Sequence, residues 1–361
     1  MNGFMYKRPY PRRLVAPEGE SACYHCYGRC VNKERLLGDG EAKDRFVAEL
    51  RRVADFCGVE VLTFCVMSNH YHILVRVDPR AKEADDKELV RRFRALYGEE
   101  KCPYLNLDAR RAAWLLDSEL SDAAELREHL KSRMGSLAGF MKTLKQRYSV
   151  WYNGERGRVG TLWAERYKSC VVQDSPQVLR VVGAYIELNP VRAGLAERAE
   201  AYRWSGYGAA AGGEAPASLR TWARSGIVGM LGKERKEGEG EESRRGGTSL
   251  CPGAAGESEE ARKFVESYGL LVRVKDDTDR EEDRERDSDD KAVAPDLMRR
   301  IPGFLRGAAV GTRGFISGIS GYLGRKRDTP PVVCLDSGSM AAVFQARTQR
   351  RRERSTAVDE G

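Results

Sequence analysis

The chain has 361 residues, of which 62 are Lys or Arg and 54 are Asp or Glu, so its formal net charge is +8. This length allows two ordinary domains or one domain with appendages, and the basic balance favours a polyanionic partner because clustered cations attract phosphate. No stretch approaches the roughly 18 apolar residues that span a bilayer, and nine irregularly spaced cysteines argue against a secreted disulfide scaffold, so a cytoplasmic protein without membrane contact is predicted.

A basic, proline-containing arm of residues 1–21 precedes the first regular elements. Apolar periodicity and turn residues then predict a strand, a helix and the two strands of an antiparallel hairpin, at Ala22–Gly28, Glu41–Cys57, Val59–Met67 and Tyr71–Val77. The helix has apolar residues at i, i+4 and i+7, and Gly58 follows it where a left-handed C-cap is expected.

The following part of the chain is mostly helical by its pattern. It predicts two helical regions, a strand and a last helix, at Lys87–Tyr97, Leu120–Tyr148, Gly160–Val172 and Ser175–Leu188. Residues 98–118 lie between the two helical regions and are interpreted as an insertion. Ser175 and Pro176 form an N-cap and N1 pair, and Asn189 ends the last helix because a residue before proline avoids the α region.

These elements predict an α+β fold, with a ferredoxin-like or RRM-like antiparallel sheet and helices on one face. The domain spans residues 22–212, including the insertion. Residues 213–300 are predicted to be a charged, largely disordered linker, because they are rich in glycine and charge and poor in large apolar residues. Residues 301–361 are predicted to form a small glycine-rich appendage and a basic tail, so that the C-terminal extension is partly disordered.

Two histidines stand where the second hairpin strand begins. His70 and His72 are two residues apart, so both imidazoles lie on the same side of the sheet. Two imidazoles at this spacing can chelate a divalent ion, and such an ion can polarise a phosphoryl oxygen. The spacing is also that of two surface or hydrogen-bonded histidines, and it leaves both interpretations open.

Tyr185 and Asn189 lie four residues apart on the last helix and therefore share one face. A phenol and an amide oxygen would be presented there side by side. Spacing alone favours a simpler interpretation, in which Tyr185 is a core aromatic residue and Asn189 a C-terminal cap, because Val178 and Val181 lie on the same stripe.

Aromatic and cationic residues alternate along the strand predicted before the last helix and recur after that helix; those of interest are Trp163, Arg166, Lys168, Arg192 and Arg203. Rings can stack on bases and cations can bind phosphates, which suits single-stranded DNA. A half-buried strand with a solvated face explains the alternation equally well.

Three cysteines near the N-terminus, Cys23, Cys26 and Cys30, have a CxxCxxxC spacing. They fall on and just after a predicted strand, and no fourth ligand pair follows at finger spacing. His25 is adjacent but faces the side opposite Cys26 by strand alternation. The sequence therefore does not favour a structural zinc or iron–sulfur site.

The order of these motifs resembles that of a known family. The string CVMSNHYHILVRV, with YHCYGR before it and GTLWAERYKSCVV and AYIELNPVRAGL after it, is similar to the REP-associated tyrosine transposases, which are HUH single-tyrosine insertion-sequence transposases. The resemblance covers about residues 9–212. Relaxases and replication initiators share the His-x-His hairpin, whereas its combination with YIELNPVRAGL is specific.

The resemblance implies a role for each matching position. His70 and His72 match the metal-binding pair of the HUH endonuclease fold, with Tyr71 in place of a more hydrophobic residue. Tyr185 matches the nucleophile, and Asn189 stands where the superfamily has a third metal ligand. The implied reaction is cleavage and rejoining of hairpin-flanked, REP-like single-stranded DNA through a 5′-phosphotyrosine, with Mg²⁺ or Mn²⁺ as cofactor.

The resemblance also implies a partner, single-stranded DNA with hairpin or palindromic repeats, and a place at the nucleoid. Related transposases include monomers and swapped dimers, so a homodimer stays open. One alternative is a relaxase or replication-initiator nickase, for which a second nearby tyrosine and a phosphate-binding loop are missing from the sequence. The other is a non-catalytic DNA-binding module, which predicts no covalent adduct.

Overall fold

The computed structural model describes most of the chain up to residue 231 and a few positions after it, namely 19–99, 106–118, 120–212, 214–231, 259, 263, 265, 266, 268, 309–311 and 332–334. Its strands are β1 (Ala22–Arg29), β2 (Val59–Val66), β3 (His70–Val77), β4 (Lys168–Val172), β5 (Ala309–Gly311) and β6 (Val332–Cys334). Its helices are α1 (Gly40–Cys57), α2 (Asp86–Tyr97), α3 (Ala109–Leu116), α4 (Ser121–Lys131), α5 (Leu137–Glu155), α6 (Pro176–Glu187), α7 (Asn189–Arg192), α8 (Gly206–Ala211) and α9 (Ala217–Leu231). In the described part of the chain, no helix has the length and apolar character needed to cross a membrane.

The described strands form one sheet in the order β2-β3-β1-β4-β5-β6. The first four pair antiparallel, and the short β5 and β6 extend the β4 side in parallel. A chain order of strand, helix, two strands, helices and strand, with β1 and β3 in the middle of the four, is the ferredoxin-like arrangement. The predicted α+β class with its antiparallel sheet is confirmed.

Helix α1 covers one face of this sheet. Asp39 caps its start by accepting a hydrogen bond of 2.7 Å from a backbone N–H of the first turn, and Gly58 ends it in the left-handed conformation, with φ of 62°. Phe46 of α1 meets Tyr71 of β3 with ring centroids 4.9 Å apart. Tyr71 is fully buried in this contact, so strand alternation turns its neighbour His72 to the other face.

Helix α6 packs on that other face, which differs from the predicted layout with helices on one face only. Its Tyr185 contacts His72, and its fully buried Glu187 accepts a hydrogen bond from the Thr63 hydroxyl of β2. Periodicity shows which side of a helix is apolar, but it does not show which face of a sheet the helix covers. That choice depends on contacts between distant segments.

Two of the predicted elements have different boundaries in the structure. The region predicted as one long or broken helix is two helices, α4 and α5, and the predicted insertion contains α3. The strand predicted at Gly160–Val172 is regular only from Lys168. Before it, Trp163 leaves the strand alternation and turns into the core, where its indole N–H donates to the Ser149 hydroxyl at 2.9 Å.

Helix α9 lies inside the range predicted as a linker, and it packs along the outer edge of β2. Trp222 of α9 contacts Phe64, with ring centroids 5.6 Å apart, so the packed region extends past the predicted boundary at residue 212. The small residues of α9 allow this close packing. The same small residues are typical of linkers, so the sequence composition did not indicate a packed helix. Most of the predicted N-terminal arm, of the predicted linker and of the appendage and tail lies outside the described residues.

We expect Gly226→Ala to lower the free energy of unfolding by about 1–3 kcal/mol, because a tightly packed site does not accept an added methyl group without a backbone shift. A Cβ at Gly226 would lie 2.4 Å from the carbonyl oxygen of Val61, which is backbone and cannot rotate away. Gly154→Ala is the matched control, since nothing lies within 4 Å of a Cβ added there. Alanine in that helix should stabilise by about 0.5–1 kcal/mol. Urea denaturation would measure both variants, and a stabilising Gly226→Ala would contradict the packing of α9 on β2.

Candidate active site

The site lies where α6 crosses the central strands. β1 and β3 pair so that Tyr27 stands opposite His72. Alternation along the two strands then places His25, Tyr27, His70 and His72 on the same face. Tyr185 comes from α6 on this face, and Asn189 and Arg192 follow on α7, so one strand pair and two consecutive helices supply the site.

The two predicted metal ligands lie side by side. The ring centroids of His70 and His72 are 5.2 Å apart. Nδ1 of His70 is 2.7 Å from Oδ1 of Asn69, and Nδ1 of His72 is 3.0 Å from Nε2 of His25. Each ring thus has its Nδ1 atom engaged by a neighbour, which leaves Nε2 as the atom that could bind an ion.

Burial keeps both imidazoles neutral. It lowers the pKa of His70 to about 4, and the charge of Arg29 adds to this effect. The pKa of His72 is lowered well below its ordinary value, first by burial and then by its neighbours His25, His70 and Arg192. A neutral imidazole is the form that binds a metal ion, so neither ring has to lose a proton first.

Tyr185 lies edge-on against two of the histidines, with its ring centroid 5.8 Å from that of His72 and 5.9 Å from that of His25. Burial raises the pKa of Tyr185 to about 12. Arg192 opposes this rise through its charge and through a hydrogen bond to the tyrosine side chain, and its guanidinium carbon is 5.7 Å from the ring centre. A cation at a phenol is a means of activating it as a nucleophile.

Asn189 follows at the end of α6. Its Nδ2 atom donates to the carbonyl oxygens of Tyr185 and Ile186, at 2.9 and 3.2 Å. Asn189 therefore makes the capping contacts of the simpler interpretation. Its Oδ1 atom takes part in neither bond, so capping and metal binding are compatible.

These donors fit a divalent cation by their chemistry, since two neutral imidazole nitrogens and an amide oxygen are ordinary ligands of such ions. Within the described ranges, no group of three or more His, Cys, Asp or Glu residues is arranged to hold a metal ion. The CxxCxxxC spacing thus forms no cluster there, and Cys23, Cys26 and Cys30 are buried free thiols. The Asn189 amide oxygen is the donor that could join the two histidines at an ion.

Three of the predicted DNA-binding cations are exposed: Arg166, Lys168 and Arg192. Lys168 pairs in register with Tyr27 and has its ammonium nitrogen 5.8 Å from the centre of that ring. Arg192 contacts Tyr185 as described. Two of the three cations thus border the site, while Arg166 lies on the segment that leads into β4.

Trp163 has another role, which corrects its predicted contact with DNA, and Arg203 lies away from the histidines. Trp163 is only 9% exposed and its ring packs against Phe46 and Tyr71, so it offers no face to a base. Arg203 forms an ion pair of 2.7 Å with Asp44, which belongs to the helix that covers the face opposite the histidines. The sequence pattern was misleading at Trp163 because it does not show which partners lie across the fold.

His25 is a site residue that the sequence pattern indicates only as a neighbour of the cysteines. It is 1% exposed. Its Nε2 atom meets His72, and its Nδ1 atom is 3.9 Å from Sγ of Cys170. The order of the strands is the signal that was missing, because His25 and His72 share a face only once β1 is known to pair with β3.

Part of the chain, including the histidines of the site, matches a protein-family model. Residues 20–94 match a family model described as "Transposase IS200 like". This segment contains His25, His70 and His72, and the resemblance to insertion-sequence transposases is confirmed over it. The match supports a DNA transposase function.

The chain is also similar to a solved structure described as "Structure of the REP associates tyrosine transposase bound to a REP hairpin". The sequence identity is 12%, the likeness covers 57% of this chain and 87% of that chain, and the TM-score is 0.29. No curated protein matches the chain.

We expect Trp163→Ala to lower the free energy of unfolding by about 3–5 kcal/mol, because removing a buried indole leaves a cavity. Trp114→Ala is the matched control; Trp114 is 62% exposed, so its loss should change stability by less than about 0.5 kcal/mol. Chemical denaturation followed by circular dichroism would measure both. A small change in stability for Trp163→Ala, together with weaker binding of single-stranded DNA, would restore the predicted stacking role.

Proposed function

We propose that this chain is a transposase that cleaves and rejoins hairpin-flanked, REP-like single-stranded DNA through a 5′-phosphotyrosine at Tyr185. The observation that carries the proposal is the contact of Tyr185 with His72, beside His70 and with Arg192 hydrogen-bonded to the phenol. A tyrosine that only filled the core would be expected among apolar side chains. A phenol that meets neutral imidazoles and a cation is better explained as a nucleophile at a phosphate site.

The residues proposed to hold a divalent cation, Mg²⁺ or Mn²⁺, are His70, His72 and Asn189. Imidazole ligands suit Mn²⁺ better, whereas Mg²⁺ prefers oxygen ligands. When bound, such an ion supplies Lewis-acid polarisation of the scissile phosphate. Two observations support this assignment. The neighbours of His70 and His72 contact their Nδ1 atoms and not their Nε2 atoms. The capping bonds of Asn189 use its Nδ2 atom and not its Oδ1 atom.

The proposed reaction exchanges one phosphate ester for another. A bond forms between the Tyr185 oxygen and phosphorus while the bond from phosphorus to the 3′ oxygen breaks. The phenol loses its proton and the departing 3′ oxygen gains one, which leaves a free 3′-hydroxyl. Because the ester bond is retained on the tyrosine, attack by a 3′-hydroxyl in the reverse direction rejoins strands without a nucleotide cofactor.

The surroundings of Tyr185 favour a single strand as substrate. Tyr185 is 4% exposed, so the reacting phosphate has to come close to a phenol that is nearly enclosed. A flexible single strand can present one phosphate in this way more easily than a stiff duplex. Lys168 and Arg192, which border the site, and the exposed Arg166 are proposed to bind neighbouring phosphates, so affinity for DNA should fall as salt concentration rises.

The first test is a denaturing-gel assay with end-labelled single-stranded DNA that carries a REP-like hairpin, in Mg²⁺ or Mn²⁺. We expect the unaltered protein to form a slowly migrating covalent adduct. Tyr185→Phe should abolish the adduct because it removes the attacking oxygen, and His70→Ala or EDTA should abolish it because each removes the ion. Tyr152→Phe, a half-buried tyrosine on α5, is the matched control and should leave the adduct unchanged.

Two results of this assay would contradict the proposal. Tight binding of the hairpin without an adduct would support a non-catalytic DNA-binding module. An adduct that survives Tyr185→Phe would keep the reaction class and exclude this nucleophile. Circular dichroism of each variant would show that loss of the adduct does not come from loss of folding.

Arg192→Gln should slow adduct formation at neutral pH and move the rise of its rate to higher pH. Arg192 lowers the pKa of Tyr185, so removing its charge raises that pKa and reduces the phenolate fraction at any pH below it. Arg192→Lys keeps the charge, so its rate of adduct formation should lie between those of the unaltered protein and of Arg192→Gln. Single-turnover rates at saturating DNA, from about pH 6 to pH 10, separate this effect from DNA affinity. An unchanged pH profile with weaker DNA binding would assign Arg192 to phosphate binding alone.

A further inference from the structure

Three buried side chains, each in contact with the next, lie beneath the proposed nucleophile. Nε2 of His25 is 3.0 Å from Nδ1 of His72, and the two ring centroids are 5.2 Å apart with the ring planes inclined by only 20°. On its other side, Nδ1 of His25 is 3.9 Å from Sγ of Cys170. All three side chains are at most 2% exposed, so water does not compete for these contacts.

We propose that His25 is a positioning residue, which accepts a hydrogen bond from His72 and thereby fixes the tautomer and the ring orientation of that ligand. The inference rests on the proposed function, because it concerns how His72 presents Nε2 to an ion. A hydrogen bond between two neutral imidazoles needs one donor and one acceptor. If Nε2 of His72 is the ligand atom, its proton is on Nδ1, so Nε2 of His25 must accept.

This assignment also settles the proton of His25. With Nε2 accepting, the proton of His25 is on Nδ1, which is the atom next to the sulfur of Cys170. A weak N–H···S contact satisfies it there. His25 therefore has both ring nitrogens engaged within the fold, and it is unsuited to be a third metal ligand. Its effect on an ion has to pass through His72.

The two ligands are held in parallel ways but in different surroundings. His70 is half-buried and its Nδ1 atom is held by Asn69, a neighbour in the sequence. His72 is buried, and it is held by a residue 47 positions away on another strand. A ligand supported from a second strand is restrained more strongly than one supported from its own loop, so the loss of His25 should weaken metal binding through the position of His72. Such supporting hydrogen bonds are typically worth 10- to 100-fold in metal affinity.

The test is Mn²⁺ binding to the DNA-free protein, followed by the electron paramagnetic resonance signal of free Mn²⁺. His25→Leu removes the acceptor, and we expect Mn²⁺ affinity to fall by about 10- to 100-fold. His25→Gln places an amide oxygen near the position of Nε2, and it should restore most of the affinity. His129→Leu, an exposed histidine on α4, is the matched control and should have no effect.

The outcomes separate this inference from the proposed function. If His72→Ala binds Mn²⁺ as well as the unaltered protein does, the metal site itself is wrong. If His72→Ala weakens binding but His25→Leu does not, the metal site stands and the positioning role is wrong. Equal weakening by His25→Leu and His25→Gln, at equal melting temperatures, would show that the hydrogen bond is not what matters.

A second measurement does not depend on the folding of a variant. The ¹⁵N shifts of the imidazole nitrogens distinguish the two neutral tautomers in the unaltered protein. We expect His72 to carry its proton on Nδ1 and His25 to carry its proton on Nδ1 as well. A proton on Nε2 of His72 would overturn the inference, because that atom would then be blocked for an ion.

Discussion

The pairing of β1 with β3 is the constraint on which the rest of the structure depends. It sets Tyr27 opposite His72 and divides the centre of the sheet into two faces. One face carries Tyr71, which packs under α1, and the other carries the histidines and receives α6. A slip of one residue in either strand would exchange its faces. The histidines would then lie in the α1 core and Tyr71 would stand under the nucleophile, so the site exists only in this register.

Burial acts in opposite senses on the two kinds of groups in the site. It lowers the pKa of His72 and raises the pKa of Tyr185, because a buried environment favours the neutral form of each. The neutral form is useful in a metal ligand and unfavourable in a phenol that has to attack. Arg192 lowers the pKa of both groups. One cation thus favours both the neutral imidazole and the ionised phenol, while burial remains the larger effect on each group.

Local features of the fold could be predicted from the sequence, while features that depend on distant contacts could not. The periodicity and C-cap of α1 depend only on residues of that segment, and the short hairpin connection depends only on its own residues. The structure has both features at the predicted places. The role of His25 depends on a residue 47 positions away, and the core position of Trp163 depends on Phe46. At Tyr185 and Asn189 spacing favoured burial and capping; the structure contains both, and it adds the contact with His72 that spacing could not show.

The position of Tyr185 depends on packing more than on any motif. The family match ends at residue 94, so it includes the histidines but not α6. The two parts are joined by the hydrogen bond from Thr63 of β2 to the buried carboxylate of Glu187, two residues after the tyrosine. On the outer side of α6, Met230 of α9 lies so close to Gly183 that a Cβ there would be 2.6 Å from its sulfur. Residues without any chemical role therefore hold the phenol against the imidazoles. A substitution of these residues would move the nucleophile away from the ligands without replacing any residue of the site.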